Sequence, residues 1–163
     1  MLSFLVFQKN SAILHRLAYL DKIKNRRNKM KRRIIISALV SCNDDYLFIK
    51  QEKKGGAYPG VLHIPGGGLE DGEHPLDGVV REVKEETGIE MYNIKPFDFA
   101  DDIVDYKGEK TQLIFLRYTA ETHNHDATAL SDAKEIVWVP KEKLLEYPHN
   151  PATLDFLKKL KLI

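Results

Sequence analysis

Hydrophobic residues in the first part of the chain occur mainly in extended runs. Ile34–Val40 is apolar and β-branched, and Tyr46–Lys50 continues as a second run. Asn43-Asp44-Asp45 lies between them and favours a turn, so the two runs are predicted to form a β-hairpin. Another extended run, Val61–Ile64, precedes three glycines at 66–68. These runs predict the first strands of a sheet.

One helix is predicted between Pro75 and Gly88. Proline suits the first turn of a helix, and glycine suits the position that ends one. Between these residues, apolar side chains recur at helical spacing and predict one buried face, formed by Leu76, Val79, Val80 and Val83.

The second part of the chain returns to strand patterns. Met91–Val104 and Thr111–Ala120 alternate like paired strands around a turn at Gly108. A polar loop, a short strand and a terminal amphipathic helix follow at Glu121–Asp132, Glu135–Val139 and Pro151–Leu160. Strands before and after a central helix, with a closing helix, predict an α/β (α+β) fold with a mixed β-sheet sandwiched between α-helices.

The composition is that of a globular protein. With 163 residues, 43 % of them apolar, the chain fits one domain with a short appendage and excludes collagen-like, low-complexity and wholly disordered classes. No run of about 18 apolar residues occurs, so no membrane-spanning helix is expected. The single Cys42 cannot form an internal disulfide, which favours a reducing, cytoplasmic location.

A net charge of +1 hides a strong asymmetry along the chain. Residues 1–33 carry ten Lys/Arg and one acid, whereas the remaining 130 residues carry 15 bases and 23 acids. We therefore separate a basic N-terminal extension, residues 1–29, from a domain at residues 30–163. The extension lacks the charge order of a secretory signal. Four interpretations of it stay open: an organellar targeting segment, a phosphate-binding arm, a gene start assigned upstream of Met30, and a loosely attached helix.

Carboxylates on the predicted helix supply the candidate chemistry. Glu82 lies one turn before Glu85 and Glu86, so the three side chains converge and are expected to point away from the Val79/Val83 face. Like charges at this spacing repel, whereas clustered carboxylates suit a hard cation such as Mg²⁺ or Mn²⁺. The alternative is an acidic helix face in contact with solvent.

Neighbouring residues complete this arrangement. Arg81 lies among the acids and is expected to hold Glu73 through a bidentate pair, which would fix the preceding loop against the helix. The glycines at 66–68 would let backbone carbonyls approach a cation and backbone amides approach phosphate oxygens.

The combined pattern resembles the Nudix box at every specified position. Those positions are Gly67, Glu73, Arg81, Glu82, Val83, Glu85, Glu86, Gly88 and Ile89. The box covers 23 residues, and the surrounding strand pattern suits the Nudix fold from about Met30 to Ile163.

This resemblance implies hydrolysis of a nucleoside diphosphate linked to another moiety, by attack of water at phosphorus. It implies Mg²⁺, with Mn²⁺ as a substitute, and a metal-binding set formed by Gly66, Glu82, Glu85 and Glu86. It implies a catalytic set formed by Glu73, Arg81, Glu85 and Glu86, in which Glu86 is the residue expected to be indispensable. A base outside the box is common in the family, and its candidates here are Asp101, Asp102, Asp105 and Glu109.

Features outside the box resemble the bacterial branch that converts nucleoside triphosphates to monophosphates and pyrophosphate. They include Tyr58-Pro59-Gly60, the glycines at 66–68 and the segment Phe97–Asp102, whereas Leu62 departs from an aromatic residue common in relatives. Tyr106, 17 residues beyond Ile89, is similar in spacing to the diadenosine-polyphosphate branch and keeps that substrate open. Hydrolysis of RNA 5′-triphosphate ends and non-catalytic sensing of a nucleotide are two further hypotheses.

The expected partner is a small-molecule nucleotide, with no membrane and no nucleic acid, and a homodimer stays open. His63 and His74 lie near the predicted phosphate site and are candidates to touch substrate. Arg117, in the middle of a strand, is a candidate for a phosphate or base contact. His123 and His125 are interpreted as solvent-exposed residues rather than as a zinc site.

Overall fold

The computed structural model of the chain describes residues 30–51, 58 and 60–163. The predicted basic extension at residues 1–29 lies outside the described residues. Within the described part, no helix combines the length and the apolar character needed to cross a membrane. The elements in chain order are β1 (Lys31–Cys42), β2 (Asp45–Gln51), β3 (Gly66–Gly68), α1 (Pro75–Thr87), β4 (Tyr92–Tyr106), β5 (Glu109–Glu121), β6 (Ala133–Pro140), a 3₁₀ helix (Lys141–Glu146) and α2 (Pro151–Lys159).

Six strands form one mixed sheet with the order β4-β5-β1-β2-β6, and β3 adds to β1. β1 runs parallel to β5, and every other named pair is antiparallel. The predicted β1–β2 hairpin is confirmed, since Ser41 pairs with Tyr46 and Cys42 with Asp45. The run at 61–64 was wrongly predicted as a strand. It forms isolated bridges, Ile49 to His63 and Leu62 to His149, and the regular pairing with β1 belongs to the glycines of β3.

The two helices cover opposite faces of the sheet, as predicted. Ile36, Ala38 and Val40 of β1 pack with Val79 and Val83 of α1 in one apolar cluster. On the other face, a second cluster combines residues of the sheet with α2, and its members include Leu39, Phe48, Val139, Phe156 and Leu157. Successive residues of β1 therefore serve different cores, because side chains of a strand alternate between its faces.

Helix α1 begins and ends where the sequence predicts. Pro75 is its first residue, and the His74 Nδ1 atom accepts a hydrogen bond from the Leu76 amide at 3.3 Å. Gly88 ends the helix with a φ of 72°, a left-handed conformation that glycine adopts without strain. His74, a candidate substrate contact, thus caps the helix.

The buried stripe of α1 differs from the predicted apolar face. Val79, Val83, Glu86 and Thr87 are buried, at the spacing i, i+4, i+7 and i+8, whereas Leu76 and Val80 are 38 % and 39 % exposed. Each helical residue turns about 100° from the last, so a stripe centred on Val79 and Val83 carries Glu86 inward with them. The expectation that all three acids point away from the core is therefore wrong for Glu86.

A buried charge network joins β5, β4 and α2. Arg117 is 2 % exposed, and its guanidinium donates to Asp98, to Asp155 Oδ2 at 2.9 Å and to the Ala152 carbonyl oxygen at 2.9 Å. Burial opposes ionisation of Asp98, but the hydrogen bonds from Arg117 and Lys159 outweigh it and hold the pKa of Asp98 below its usual value. This network ties the closing helix to the sheet.

We expect Asp98→Asn to lower the free energy of unfolding at pH 7 by about 3 kcal/mol, because it leaves part of a buried guanidinium without its charge partner. A carboxylate whose folded pKa is lowered stabilises the fold above its unfolded pKa, near 3.8, and loses that contribution as the pH falls below it. Urea unfolding at pH 7 and pH 3 should therefore show that the difference in the free energy of unfolding between variant and parent is smaller at pH 3.

The matched control is Asp155→Asn, which removes the other carboxylate from the same guanidinium. Because the Asp155 side chain is 46 % exposed and that of Asp98 only 22 %, the control should lose less stability. A loss for Asp98→Asn that is absent at pH 7, or equal at both pH values, would contradict the stabilising role of the network.

Candidate active site

A cleft of about 310 Å³ lies on the sheet face that carries the odd-numbered residues of β1. Its lining includes Arg33, Ile35, Ser37, Leu113, Phe115 and Arg117 from β1 and β5. The parallel register of these strands sets Ile35 beside Phe115. The glycines of β3 and two carboxylates of α1, Glu82 and Glu86, also line the cleft. Its volume is in the range of small-molecule sites.

The glycines of β3 allow two close approaches. Gly66 has a φ of 151°, and a Cβ atom there would lie 2.1 Å from the Ile36 carbonyl oxygen, so a side chain would break the pairing with β1. A Cβ atom on Gly67 would lie 2.3 Å from Glu82 Oε2. The Glu82 carboxylate therefore rests directly against the strand backbone.

Glu86 is the most deeply buried acid of the helix, at 5 % exposure. Its Oε2 atom accepts a hydrogen bond from the Gly66 amide at 2.9 Å, and its Oε1 atom accepts one from Gln51 Nε2 at 3.3 Å. These donors are what a buried carboxylate requires. The amide of Gly66, the first residue of β3, thus fixes the Glu86 carboxylate at the cleft.

Arg81 connects the remaining acids. It forms a bidentate pair with Glu73, with distances of 2.7 Å from Nε to Oε1 and 2.9 Å from Nη2 to Oε2. Its Nη1 atom lies 2.9 Å from Glu82 Oε1 and 3.2 Å from Glu85 Oε2. Hydrogen bonds from Arg81 and from the Glu70 amide lower the pKa of Glu73 to about 2. The loop before α1 is therefore anchored to the helix by charge.

The donor set fits a hard divalent cation. No three His, Cys, Asp or Glu side chains among the described residues form a ready-made metal cluster. One positively charged atom, Arg81 Nη1, nevertheless lies within hydrogen-bond distance of both Glu82 and Glu85, so their oxygens already converge on a single cationic point. Carboxylate and carbonyl oxygens are the ligands that Mg²⁺ and Mn²⁺ prefer.

The four candidate bases differ in strand face and in the partners of their carboxylates. Asp102 pairs in register with Leu113, which lines the cleft, and it accepts a hydrogen bond from the Tyr58 hydroxyl. Burial and this hydrogen bond raise the pKa of Tyr58. Asp101 and Asp105 are an odd number of residues from Asp102 along β4, so their side chains lie on the opposite face of the strand. Asp101 accepts a hydrogen bond from Gln112 Nε2 at 2.8 Å. Glu109 pairs in register with Tyr106, which lines the cleft, but its carboxylate binds Lys31 at the end of the sheet. Asp102 is thus the candidate on the cleft face whose carboxylate is bound to a residue of the cleft lining, Tyr58.

The remaining predicted contacts fall into two groups. His63 lines the cleft, its Nε2 atom donates to the Tyr58 carbonyl oxygen at 3.0 Å, and burial lowers its pKa. Arg117 also lines the cleft, but its guanidinium is bound to structural partners rather than directed to a ligand. His123 stacks on Tyr92, and His125 bonds to Asp45 on the exposed side of the domain.

Gln51 and Arg33 are among the cleft residues that the sequence analysis missed. Gln51 follows the predicted second strand, and nothing local indicates that its amide reaches Glu86 on the helix. Arg33 belongs to a basic run that suggests an extension, yet it alternates with Ile35 on the cleft face of β1. That alternation was the signal that could have found it.

Comparison with known proteins identifies the family of this chain. The NUDIX domain model matches residues 31–160. Nucleoside triphosphatase NudI from Enterobacter sp. (strain 638) is 33 % identical over 138 residues, which cover 80 % of this chain and 98 % of the relative. Nucleoside triphosphatase NudI from Escherichia coli (strain K12 / DH10B) is 31 % identical over 136 residues, covering 79 % and 96 %.

Two solved structures have folds similar to that of this chain. The MutT protein from Methanosarcina mazei Go1 has a TM-score of 0.65 at 26 % identity and covers 82 % of this chain and 95 % of its own. The MutT NUDIX hydrolase from Burkholderia pseudomallei has a TM-score of 0.67 at 22 % identity, covering 78 % and 97 %, and shows the shared fold. The chain therefore belongs to the Nudix family and is a Nudix hydrolase.

Proposed function

We propose that the protein hydrolyses free (deoxy)nucleoside triphosphates to monophosphate and pyrophosphate, with Mg²⁺ as its cation and Mn²⁺ as a substitute. The observation that carries this proposal is the position of Glu82 and Glu86 at a cleft of about 310 Å³, against the glycine strand. The nucleoside triphosphatase activity for which the NudI relatives are named supports the triphosphate as substrate. Nudix hydrolases generally use divalent metal ions.

In this proposal Glu82, Glu85, Glu86 and the Gly66 carbonyl oxygen would hold the cation. When bound, the cation supplies charge neutralisation at the phosphates and lowers the pKa of a coordinated water. Glu86 is held in place by the Gly66 amide, and Glu85, with a side chain 54 % exposed, remains accessible from solvent. Of the three carboxylates, Glu86 is thus fixed by a backbone amide and Glu85 is the most accessible.

Arg81 and Glu73 act as positioning residues. Their bidentate pair keeps the loop before α1 against the helix, and Arg81 Nη2 also lies 3.4 Å from the Gly68 carbonyl oxygen. Arg81 offsets the repulsion between Glu82 and Glu85, and a bound metal ion would supply the same positive charge. We assign Asp102, oriented by Tyr58, as the proton acceptor outside the box.

The proposal extends to the setting of the enzyme. We place the catalytic domain at residues 30–163 and the protein in the cytoplasm, acting on a small nucleotide rather than on nucleic acid. A diadenosine polyphosphate is the second candidate substrate, because Tyr106, whose spacing suggested it, lines the cleft.

The test is product-resolved chromatography of the full chain with Mg²⁺, Mn²⁺ or EDTA and a panel of substrates. The panel contains the common ribo- and deoxynucleoside triphosphates, ADP-ribose and a diadenosine polyphosphate. Monophosphate plus pyrophosphate from triphosphates, abolished by EDTA, is the expected result. Cleavage of the dinucleotide alone would transfer the proposal to the second candidate, and orthophosphate release from triphosphates would contradict the bond assigned.

We expect Glu86→Gln to lower kcat roughly a thousandfold, because loss of a ligand charge forfeits several kcal/mol of metal-assisted stabilisation. The amide has nearly the same volume but only one acceptor oxygen for the two donors, Gly66 N and Gln51 Nε2, so the free energy of unfolding should fall by about 1–3 kcal/mol while the domain stays folded. Steady-state kinetics and urea unfolding measure the two effects separately.

Glu90→Gln is the matched control for this variant. Glu90 undergoes the same chemical change four residues later in the chain, but its side chain is 83 % exposed and pairs with Lys84. Turnover should stay within about twofold of the parent, as expected for a remote surface site. Equal turnover of Glu86→Gln and Glu90→Gln would refute the assignment.

We expect Gly67→Ala to lower kcat/KM by roughly tenfold to a hundredfold while the domain stays folded. The new methyl group displaces only the flexible end of Glu82, and misplacement of a catalytic group by about 1 Å costs up to 10²-fold. Gly68→Ala is the control, since its nearest neighbour is Arg33 Nη2 at 3.1 Å. A larger loss of metal-dependent turnover in the control than in Gly67→Ala would contradict the account.

A further inference from the structure

Three arginines lie in or beside the cleft, and two of them are neutralised. Arg81 donates to Glu73, Glu82 and Glu85, and Arg117 donates to two aspartates and a backbone carbonyl. Arg33 differs. Among the described residues it forms no ion pair or hydrogen bond through its side chain, and its partner there is the ring of Tyr106. Arg33 is therefore the cleft arginine whose donors are available to a ligand.

The position of Arg33 is defined by its neighbours. Its Cζ atom lies 4.7 Å from the centroid of the Tyr106 ring, a cation–π contact that supports the flat guanidinium without using its N–H groups. Its Nη2 atom would lie 3.1 Å from a Cβ atom on Gly68. The Tyr106 ring thus positions the Arg33 guanidinium beside Gly68 of β3.

The surface beside Arg33 is apolar. Arg33 pairs in register with Leu113, and the next inward pair is Ile35 with Phe115. All four residues line the cleft. A phosphate group gains nothing from such a floor, whereas the faces of a nucleobase bury well on aliphatic and aromatic side chains. An apolar surface that ends at the Arg33 guanidinium suits a nucleobase whose edge presents hydrogen-bond acceptors.

Arg33 and the carboxylates border the same cleft. Gly67 meets Glu82, and the following residue, Gly68, meets Arg33, so the two side chains approach β3 from opposite faces. Arg33, Glu82 and Glu86 all line the cleft. Phosphates at the carboxylates would therefore leave the base in the cleft that Arg33 lines.

We propose that Arg33 is the specificity-determining residue for the nucleobase, and that Tyr106 is its positioning residue. This inference rests on the proposed nucleotide hydrolysis. The guanidinium donates two hydrogen bonds to adjacent acceptors on the base edge, which guanine offers at O6 and N7 and cytosine at O2 and N3. Adenine, uracil and thymine lack such a pair of adjacent acceptors, so their nucleotides are the disfavoured substrates.

The test measures kcat/KM for GTP, CTP, ATP and UTP in the parent protein, Arg33→Gln and Arg33→Lys. The parent should prefer GTP and CTP by about tenfold to a hundredfold. Arg33→Gln should reduce this preference to about threefold or less, mainly through KM on the preferred substrates. Arg33→Lys keeps the charge but loses the fork, so it should behave like Arg33→Gln.

Two further comparisons isolate the proposed roles. Arg32→Gln removes the same charge from the neighbouring position, where the side chain bonds Gln112 on the opposite face, and should keep the parent's selectivity. Tyr106→Phe retains the ring and should keep the selectivity, whereas Tyr106→Leu should lose it. A uniform loss on all four triphosphates in Arg33→Gln would overturn the proposal, because it would make Arg33 a phosphate contact.

Equilibrium binding separates this inference from the proposed reaction. Titration calorimetry with GMP, CMP, AMP and UMP requires no turnover. Tighter binding of GMP and CMP that disappears in Arg33→Gln supports the role of Arg33 even in a protein that hydrolyses no triphosphate. Equal affinities of the parent for all four monophosphates would overturn it, whatever the outcome of the activity assay.

Discussion

The burial of Glu86 against the edge of β3 is the interaction on which the site depends. A carboxylate at 5 % exposure is costly unless its oxygens accept hydrogen bonds, and the Gly66 amide supplies one at 2.9 Å. This bond joins the helix to the strand across 20 residues of sequence. Because Val79 and Val83 bury on the same stripe, the apolar core and the charged site are fixed by a single helix orientation.

Charge balance around this helix explains why its acids can remain close together. Arg81 is shared by Glu73, Glu82 and Glu85, so the repulsion among the carboxylates is offset before any cation binds. The same arrangement leaves Glu82 resting on Gly67, where a side chain larger than hydrogen has no room. Glycine at this position is therefore a requirement of the site.

The parts of the fold that local chemistry determines were predictable. Pro75 and Gly88 bounded α1 correctly, because capping preferences act within one turn. The inward position of Glu86 was not predicted, because the buried face was judged by apolar residues alone, although Glu86 lies seven residues after Val79 on the same stripe. The Gly66 amide that compensates its burial comes from a distant strand and could not be read from the sequence. Arg33 and Arg117 look alike in sequence, and only the carboxylates that reach Arg117 from β4 and α2 distinguish their roles.

We propose that the acids of α1 form a metal-dependent hydrolytic site at the glycine strand. Anomalous diffraction from crystals of the protein grown with Mn²⁺ would locate the cation. We expect a manganese peak in direct contact with at least two of Glu82, Glu85 and Glu86, with Arg81 displaced from the coordinating oxygens. Manganese bound only elsewhere, with Arg81 still bridging Glu82 and Glu85, would refute the proposed site.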